Sequence, residues 1–263
     1  MTIVLIAIAL YLLASGWLVV SVQRGDETSR GWLLPASVAL LLHGTTHYLA
    51  WRSSGTTDLH FFAALSLAGL GMAIFTTLFG ACGRMRALGV VVFPLAALTL
   101  LGYALYGHAN TPEPLDWRLL LHAWLALLAY ATLAIAALLA IFLWLQERAL
   151  RRREFHGWLR ALPPLTELET LMFRTIALGF VLLTATLLTG VLFVNDLLAQ
   201  HLVHKTVLSV LSWLVFGGLL LGRWRYGWRG ATAVRWTLVA MALLLLAFFG
   251  SKFVLELVLN RGS

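Results

Sequence analysis

Charge and cysteine are both scarce in this chain. Only 11% of its 263 residues are Asp, Glu, Lys or Arg, against about 25% in ordinary soluble domains, so lipid must be the solvent for most of its surface. Cys82 is the single cysteine. An internal disulfide, a CxxC redox pair and a CxxCH haem-attachment site each need two, which excludes a thiol reductant and a c-type cytochrome. Acidic residues number 11 against 19 Lys and Arg. The basic residues stand in short runs between apolar segments rather than on one domain, so their excess points to membrane topology and not to nucleic acid. No internal repeat is evident, which leaves an inverted-repeat transporter without support. Charged residues deep in the apolar runs are too few to line an ion pore.

What the chain has instead is apolar length. Hydrophobic residues make up 61% of it, and the mean hydropathy is +0.89. Apolar runs near the roughly 20 residues that a bilayer core demands predict spans at 2–22, 32–51, 59–80, 87–106, 118–146, 173–198, 206–222 and 234–258. The expected fold is all-α, a polytopic membrane bundle of about eight transmembrane helices forming a single integral membrane domain over 1–263. With eight spans, both termini share one side. Loops one, three, five and seven hold Arg24 and Arg30; Arg84 and Arg86; Arg148, Arg151, Arg152, Arg153 and Arg160; then Arg223, Arg225 and Arg229. Even-numbered loops hold only Arg52 and Lys205 clearly, with Arg118 at the mouth of the fifth span. Positive charge is retained on the cytoplasmic side, so the odd loops are expected there and both termini in the periplasm. The first apolar run lacks a basic residue ahead of it and is followed by Arg24, which predicts an uncleaved span. The long fifth loop, 147–171, joins a basic run to Phe155, Trp158 and Leu159 and is expected to lie on the cytoplasmic lipid surface.

The histidines are distributed unevenly in depth. Of eight, only His156 falls in a cytoplasmic loop; His43, His47, His60, His108, His122, His201 and His204 fall toward the outer face. Imidazole is the common protein ligand of haem iron, and six-coordinate iron needs two such nitrogens from opposite faces. His122, near the outer end of the fifth span, and His204, just before the seventh, could bracket a b-type, non-covalently held haem. Arg118 lies one turn before His122, and Lys205 follows His204; either could clamp a propionate, or simply snorkel to the interface. His43 and His47 share a helical face inside the second span, where they could contact a cofactor, relay protons or hydrogen-bond between helices. Trp213 and the Gly217-Gly218 pair mark a place where a flat cofactor or a neighbouring helix could approach. Asp196 beside Asn195 could orient a histidine, and Lys252 and Glu256 can pair on one helical face. Histidine pairs at both membrane depths, as a transmembrane haem ladder requires, are lacking.

Particular strings resemble the cytochrome c assembly protein family: LLLHAWLALLAYATLAIAALLAIFLW around His122, LPPLTELETLMFRTIALGFVLLTATLLTG, and HKTVLSVLSWLVFGGLLLGRWRYGWRG from His204. The likeness is strongest over 118–259. Together with the ending FFGSKFVLELVL it is similar to the YpjD/HemX-like branch of eight-span inner-membrane proteins. That resemblance implies a haem-handling membrane protein, not an enzyme, with outward histidines as iron ligands at His122 and His204 and a looser match at His43. Implied partners are the bilayer, haem and other cytochrome c maturation or membrane proteins. Family members that present haem to apocytochrome c carry a tryptophan-rich WWD platform in the sixth loop. Here that stretch reads VNDLLAQHLVHKT, without tryptophan. The alternative is therefore a membrane accessory or regulatory subunit of the same fold that has lost haem.

Overall fold

The computed structural model describes residues 1–24, 26, 29–81, 86–107, 116–153, 163–193 and 203–250. Among them stand eight α-helices and no strand. They are α1 (Thr2–Arg24), α2 (Leu33–Ser54), α3 (Phe61–Ala81), α4 (Gly89–Tyr106), α5 (Trp117–Arg152), α6 (Leu165–Phe193), α7 (Val203–Tyr226) and α8 (Gly230–Leu245). A 3₁₀ turn at Arg86–Leu88 precedes α4, and a π-helical turn at Leu246–Gly250 follows α8. Seven of these segments are long and apolar enough to cross a membrane; α2 is not among them. Its 22 residues suffice in length, but His43, Thr45, Thr46, His47 and Arg52 dilute the apolar character of its second half.

Two helices overrun the spans expected from hydropathy. α5 has 36 residues, about 54 Å at 1.5 Å per residue, against a hydrocarbon layer of about 30 Å. Glu147 to Arg152 therefore continue the helix past the apolar layer, and α6 begins at Leu165 rather than near 173. Charge ends a hydropathy window without ending a helix. α5 stops where Arg153 turns to a φ of 58° and its N–H reaches the Leu150 carbonyl at 3.1 Å, the left-handed closure common at helix C-termini. α6 opens directly after Pro163-Pro164, residues tolerated where helical N–H groups are unpaired anyway. Residues 154–162, with Trp158, lie outside the described residues.

The helices group into two compact units, Met1–Pro114 with Phe155–Pro163, and Leu115–Glu154 with Pro164–Ser263. In the first, α1 packs on α2 and α4, and α3 packs on α4. Small side chains let these backbones approach: Ala7, Ala14, Ala36, Ala39, Ala63 and Ala96 are all fully buried, the packing that lipid, as apolar as any core, otherwise gives helices no reason to adopt. Tyr11 and Trp32 both set their rings 5.9 Å from Phe93.

In the second unit α5 and α6 form the most extensive pair. Ala129, Leu133, Ala136, Ala140 and Leu143, three or four residues apart, make the buried stripe of α5. Gly179 of α6 allows the closest approach, for a Cβ there would stand 2.5 Å from Leu133 Cδ2. Polar ties pin the remaining helices. Ser212 Oγ of α7 donates to the Ala240 carbonyl of α8 at 2.8 Å. Tyr130 Oη of α5 donates to the Leu244 carbonyl at 2.5 Å. At the opposite end Glu169, 6% exposed, takes Arg223 at 2.9 Å and Arg229 at 3.2 Å, with the Arg223 guanidinium 4.8 Å above the Phe173 ring.

Glu169 thus joins α6, α7 and the start of α8. Replacing it by glutamine removes the charge that both arginines neutralise. Breaking a fully buried pair costs about 3–5 kcal/mol; because Arg223 and Arg229 are partly exposed, Glu169→Gln is expected to cost roughly 1–3 kcal/mol after solvent screening. Thermal unfolding in detergent should show a lower midpoint, and an unchanged midpoint would contradict the tie.

Candidate functional site

Within the second unit, α5, α6, α7 and the end of α8 surround a cleft of about 290 Å³. α5 contributes His122, Ala126 and Tyr130, one residue per turn along a single stripe. α6 contributes Leu183, Thr186, Leu187, Gly190 and Val191, and α7 contributes Lys205, Thr206, Ser209 and Val210. The end of α8 and its π-helical turn close the cleft with Leu244, Ala247 and Phe248. Tyr130 presents only its ring, because its hydroxyl is engaged by Leu244; the Phe248 ring lies 5.9 Å from it.

His122 is the coordinating group of this wall. Its Nδ1 lies 3.1 Å from Thr189 Oγ1. The Thr189 hydroxyl is itself 3.0 Å from the Ala185 carbonyl and 2.9 Å from that of Thr186, oxygens that only accept. When its single proton goes to either of them it accepts from His122 and Nδ1 carries the proton; the ring also has a hydrogen bond with the Thr186 backbone. Nε2 then holds the lone pair, the form in which imidazole binds a metal, with the other nitrogen oriented by a hydrogen bond. Gly190 makes room for the ring: a Cβ there would meet His122 Cε1 at 3.2 Å.

The other expected ligands of this unit are placed as follows. Lys205 lines the cleft with His122, whereas His204, exposed in the first turn of α7, is not among its lining residues. Arg118 stacks its guanidinium 5.6 Å from the Trp117 ring and 6.0 Å from that of Phe193. Trp213 donates from Nε1 to Thr184 Oγ1 at 2.8 Å and stacks on Phe180 at 5.5 Å, and that same Phe180 fills the space Gly217 leaves open. The tryptophan is thus held against α6. His108, His156, His201, Asn195, Asp196, Lys252 and Glu256 lie outside the described residues.

His43 and His47 belong to the first unit. His43 is fully buried, with Nδ1 3.2 Å from Tyr11 Oη and Nε2 2.9 Å from Ser66 Oγ. His47 Nε2 lies 3.0 Å from the same Ser66 oxygen, and its ring stacks on Tyr103 at 4.4 Å. Both ring nitrogens of His43 are therefore engaged by side chains of neighbouring helices. Sequence reasoning did not find Thr189, Gly190, Tyr11 or Ser66. Thr189 and Gly190 stand together in the TLLTG end of a quoted string, but nothing in that string says which of its threonines faces an imidazole.

The sequence profile described as cytochrome C assembly protein matches residues 32–259, most of the chain and both units. The chain belongs to the cytochrome c assembly protein family. Inner membrane protein YpjD of Escherichia coli K12 is 38% identical over 140 residues, 53% of each chain. Protein HemX of Brevibacillus brevis is 29% identical over 134 residues, 50% of this chain and 49% of its own. Cytochrome c biogenesis protein CcsA of Prochlorococcus marinus strain SARG is 29% identical over 90 residues, 34% of this chain and 28% of its own. The chain spans about half the length of the curated relatives it matches. No solved structure matches it. As a member of this cytochrome c assembly family with helices of membrane-spanning length, it is a multi-pass protein of the inner membrane.

The cleft suits the group that this family implies. Among the described residues no group of three or more His, Cys, Asp or Glu gathers that could hold a bare metal ion; haem iron brings four porphyrin nitrogens and needs one or two more. His122 supplies an oriented lone pair, the walls are mainly apolar, and Lys205, Thr206 and Ser209 put a cation and two hydroxyls on the α7 side. The volume, about 290 Å³, lies just below the roughly 300–1,000 Å³ typical of small-molecule sites.

Proposed function

We propose that this protein holds haem non-covalently in the cleft of the second unit, and that it binds and delivers haem at the periplasmic face during cytochrome c maturation. The observation that carries this is the His122 imidazole, its Nδ1 3.1 Å from Thr189 Oγ1 and its ring on the wall of an apolar cleft. Haem, when bound, would supply an iron that accepts nitrogen ligands and two negatively charged propionates. His122 Nε2 would hold the iron. His204, adjacent to the cleft residue Lys205, is the proposed second ligand. Lys205, on the cleft wall, is the proposed partner of a propionate, and Arg118, at the same end of α5 as His122, is the second candidate. The role assigned to the chain is binding and delivery, with no covalent step on its own residues. Its proposed partners are the bilayer, haem and other proteins of cytochrome c maturation.

Orientation is part of the proposal. Arginines crowd the α5–α6 and α7–α8 connections, which supports a cytoplasmic position for them and a periplasmic one for both termini. In a Cys82→Ser background, Ser53→Cys should react with an impermeant thiol reagent in spheroplasts and Arg151→Cys should not. The reverse pattern would overturn the topology.

Protein purified from haem-replete membranes should show a Soret band. His122→Ala should abolish it, and Thr189→Val should weaken haem retention by roughly ten- to a hundredfold, the usual effect of losing the group that orients a metal-bound histidine. An undiminished Soret band in His122→Ala would refute the ligand assignment. A second reading is a haem-free accessory or regulatory subunit, favoured by the tryptophan-free stretch before α7. It expects a colourless preparation that co-purifies with one stable partner whatever the haem supply.

A further inference from the structure

Where α1 runs into its connection to α2, the first unit carries a groove of about 450 Å³. Gly16, Trp17 and Val20 line it from the helix, with Leu13 at one end and Arg24 at the other; positions spaced by three or four residues share one helical face. Asp26 and Ser29 of the connection form the facing wall. Three bonds hold that wall in place: the Asp26 N–H to the Ser21 carbonyl at 3.0 Å, the Arg86 guanidinium to the Asp26 carbonyl at 3.1 Å, and the Trp17 indole N–H to Ser29 Oγ at 3.0 Å. A Cβ at Gly31 would stand 2.3 Å from Trp17 Cζ2, so the chain closes tightly on this tryptophan. A Cβ at Gly16 would meet nothing within 4 Å, so the groove is open over that residue.

The two ends of the groove differ in chemistry. Leu13, Trp17 and Val20 present exposed apolar side chains. From Leu13 to Arg24 the helix rises about 16 Å at 1.5 Å per residue, half of a hydrocarbon layer of about 30 Å, so the groove has the depth of one leaflet. At the Arg24 end the unspent hydrogen-bonding capacity is that of donors. The exposed Arg24 guanidinium has no partner among the described residues. Ser29 Oγ accepts from Trp17, which leaves its own proton to give. Ser21 is 7% exposed and lines the groove, and its hydroxyl has no hydrogen-bond partner among the described residues. A guanidinium and two hydroxyls suit a group that only accepts, such as a phosphodiester. The Asp26 carboxylate adds one negative charge at the same end. Arg24 and Asp26 together complement a headgroup that carries one charge of each sign.

We propose that this groove binds one phospholipid of the ethanolamine class, with its phosphate on Arg24, Ser21 and Ser29, its ammonium on Asp26, and an acyl chain laid along Gly16 toward Leu13. Lipid that merely surrounds a span needs only exposed apolar side chains. This site has more: a recess one leaflet deep, phosphate donors at the boundary end, and a carboxylate beside them. A partner helix would cover the apolar stretch and leave the donors facing no anion, and a soluble phosphate compound would leave the apolar stretch bare. Among phospholipids, a choline headgroup has no N–H to give Asp26, and a glycerol headgroup brings its net negative charge next to that carboxylate with no cation to offset it. Ethanolamine satisfies both charges.

The test is native mass spectrometry of the full chain in a non-ionic detergent, given equal amounts of ethanolamine, choline and glycerol phospholipids with identical acyl chains. The protein should retain one ethanolamine lipid with roughly tenfold higher affinity than either of the others, the worth of about one charge-assisted hydrogen bond, and inorganic phosphate should not displace it. Arg24→Gln, a change at an exposed side chain that leaves folding aside, should weaken retention of all three lipids by roughly tenfold. Asp26→Asn should erase the preference for ethanolamine over choline. Gly16→Leu fills open space, so the thermal midpoint of the lipid-free protein should hold while the ethanolamine lipid is lost. Arg225→Gln, on α7 and outside the groove, should leave retention unchanged. Equal retention of the three lipids, a preference for the glycerol headgroup, displacement by inorganic phosphate, or a loss in Arg225→Gln as large as in Arg24→Gln would overturn the inference.

Discussion

A polar side chain inside a bilayer has no water to turn to, so its partner must be built into the protein. That constraint shapes both units. The apolar residues that would mark a core in a soluble protein are spread over the exterior, with Leu78, Leu98, Val181, Leu188, Leu192 and Leu214 all exposed, and they say little about which helix faces which. The faces that meet are those where small residues allow contact and where a hydroxyl, an imidazole or a carboxylate finds its complement. Glu169 with Arg223 and Arg229, Tyr130 with the Leu244 carbonyl, and Ser212 with the Ala240 carbonyl are such meetings.

The same constraint explains why two histidines of similar setting differ in chemistry. Each lies within a helix and each is met by a hydroxyl from a neighbour. His122 is met by one, Thr189, and that hydroxyl is already turned to carbonyls of its own helix. The ring is oriented and one lone pair remains. His43 is met by two, Tyr11 and Ser66, so its donor and its acceptor are both consumed and no lone pair is left for a metal.

Much of the architecture was legible in the sequence. Apolar runs separated by arginines give the helix count because insertion into lipid is decided by such runs, and the depth of His122 follows from its distance to the end of its span. The helix ends were not legible. Glu147 to Arg152 extend α5 because a charged residue outside the hydrocarbon layer has no reason to break a helix, and hydropathy cannot see it. Nor was the cleft, since its far wall is a π-helical turn at Leu246–Gly250, which has no periodic signature. The pairing of His43 with Tyr11 depends on the register of α1 against α2. Helices apolar on every side carry no stripe from which that register could be read. His122, Lys205 and the family resemblance could be named from residues alone; Thr189, Gly190 and Ser66 required neighbours from other helices.

The claim on which this account turns is that His122 offers Nε2 to an iron because Thr189 holds the proton on Nδ1. Pulsed electron paramagnetic resonance on the ferric, haem-loaded protein labelled with ¹⁵N-histidine reads it directly. The account predicts a strong coupling from one directly bound ring nitrogen and a weaker one from the remote, protonated nitrogen of the same ring, both absent in His122→Ala. A haem-loaded protein whose histidine couplings survive that substitution unchanged, or that shows none at all, would contradict it.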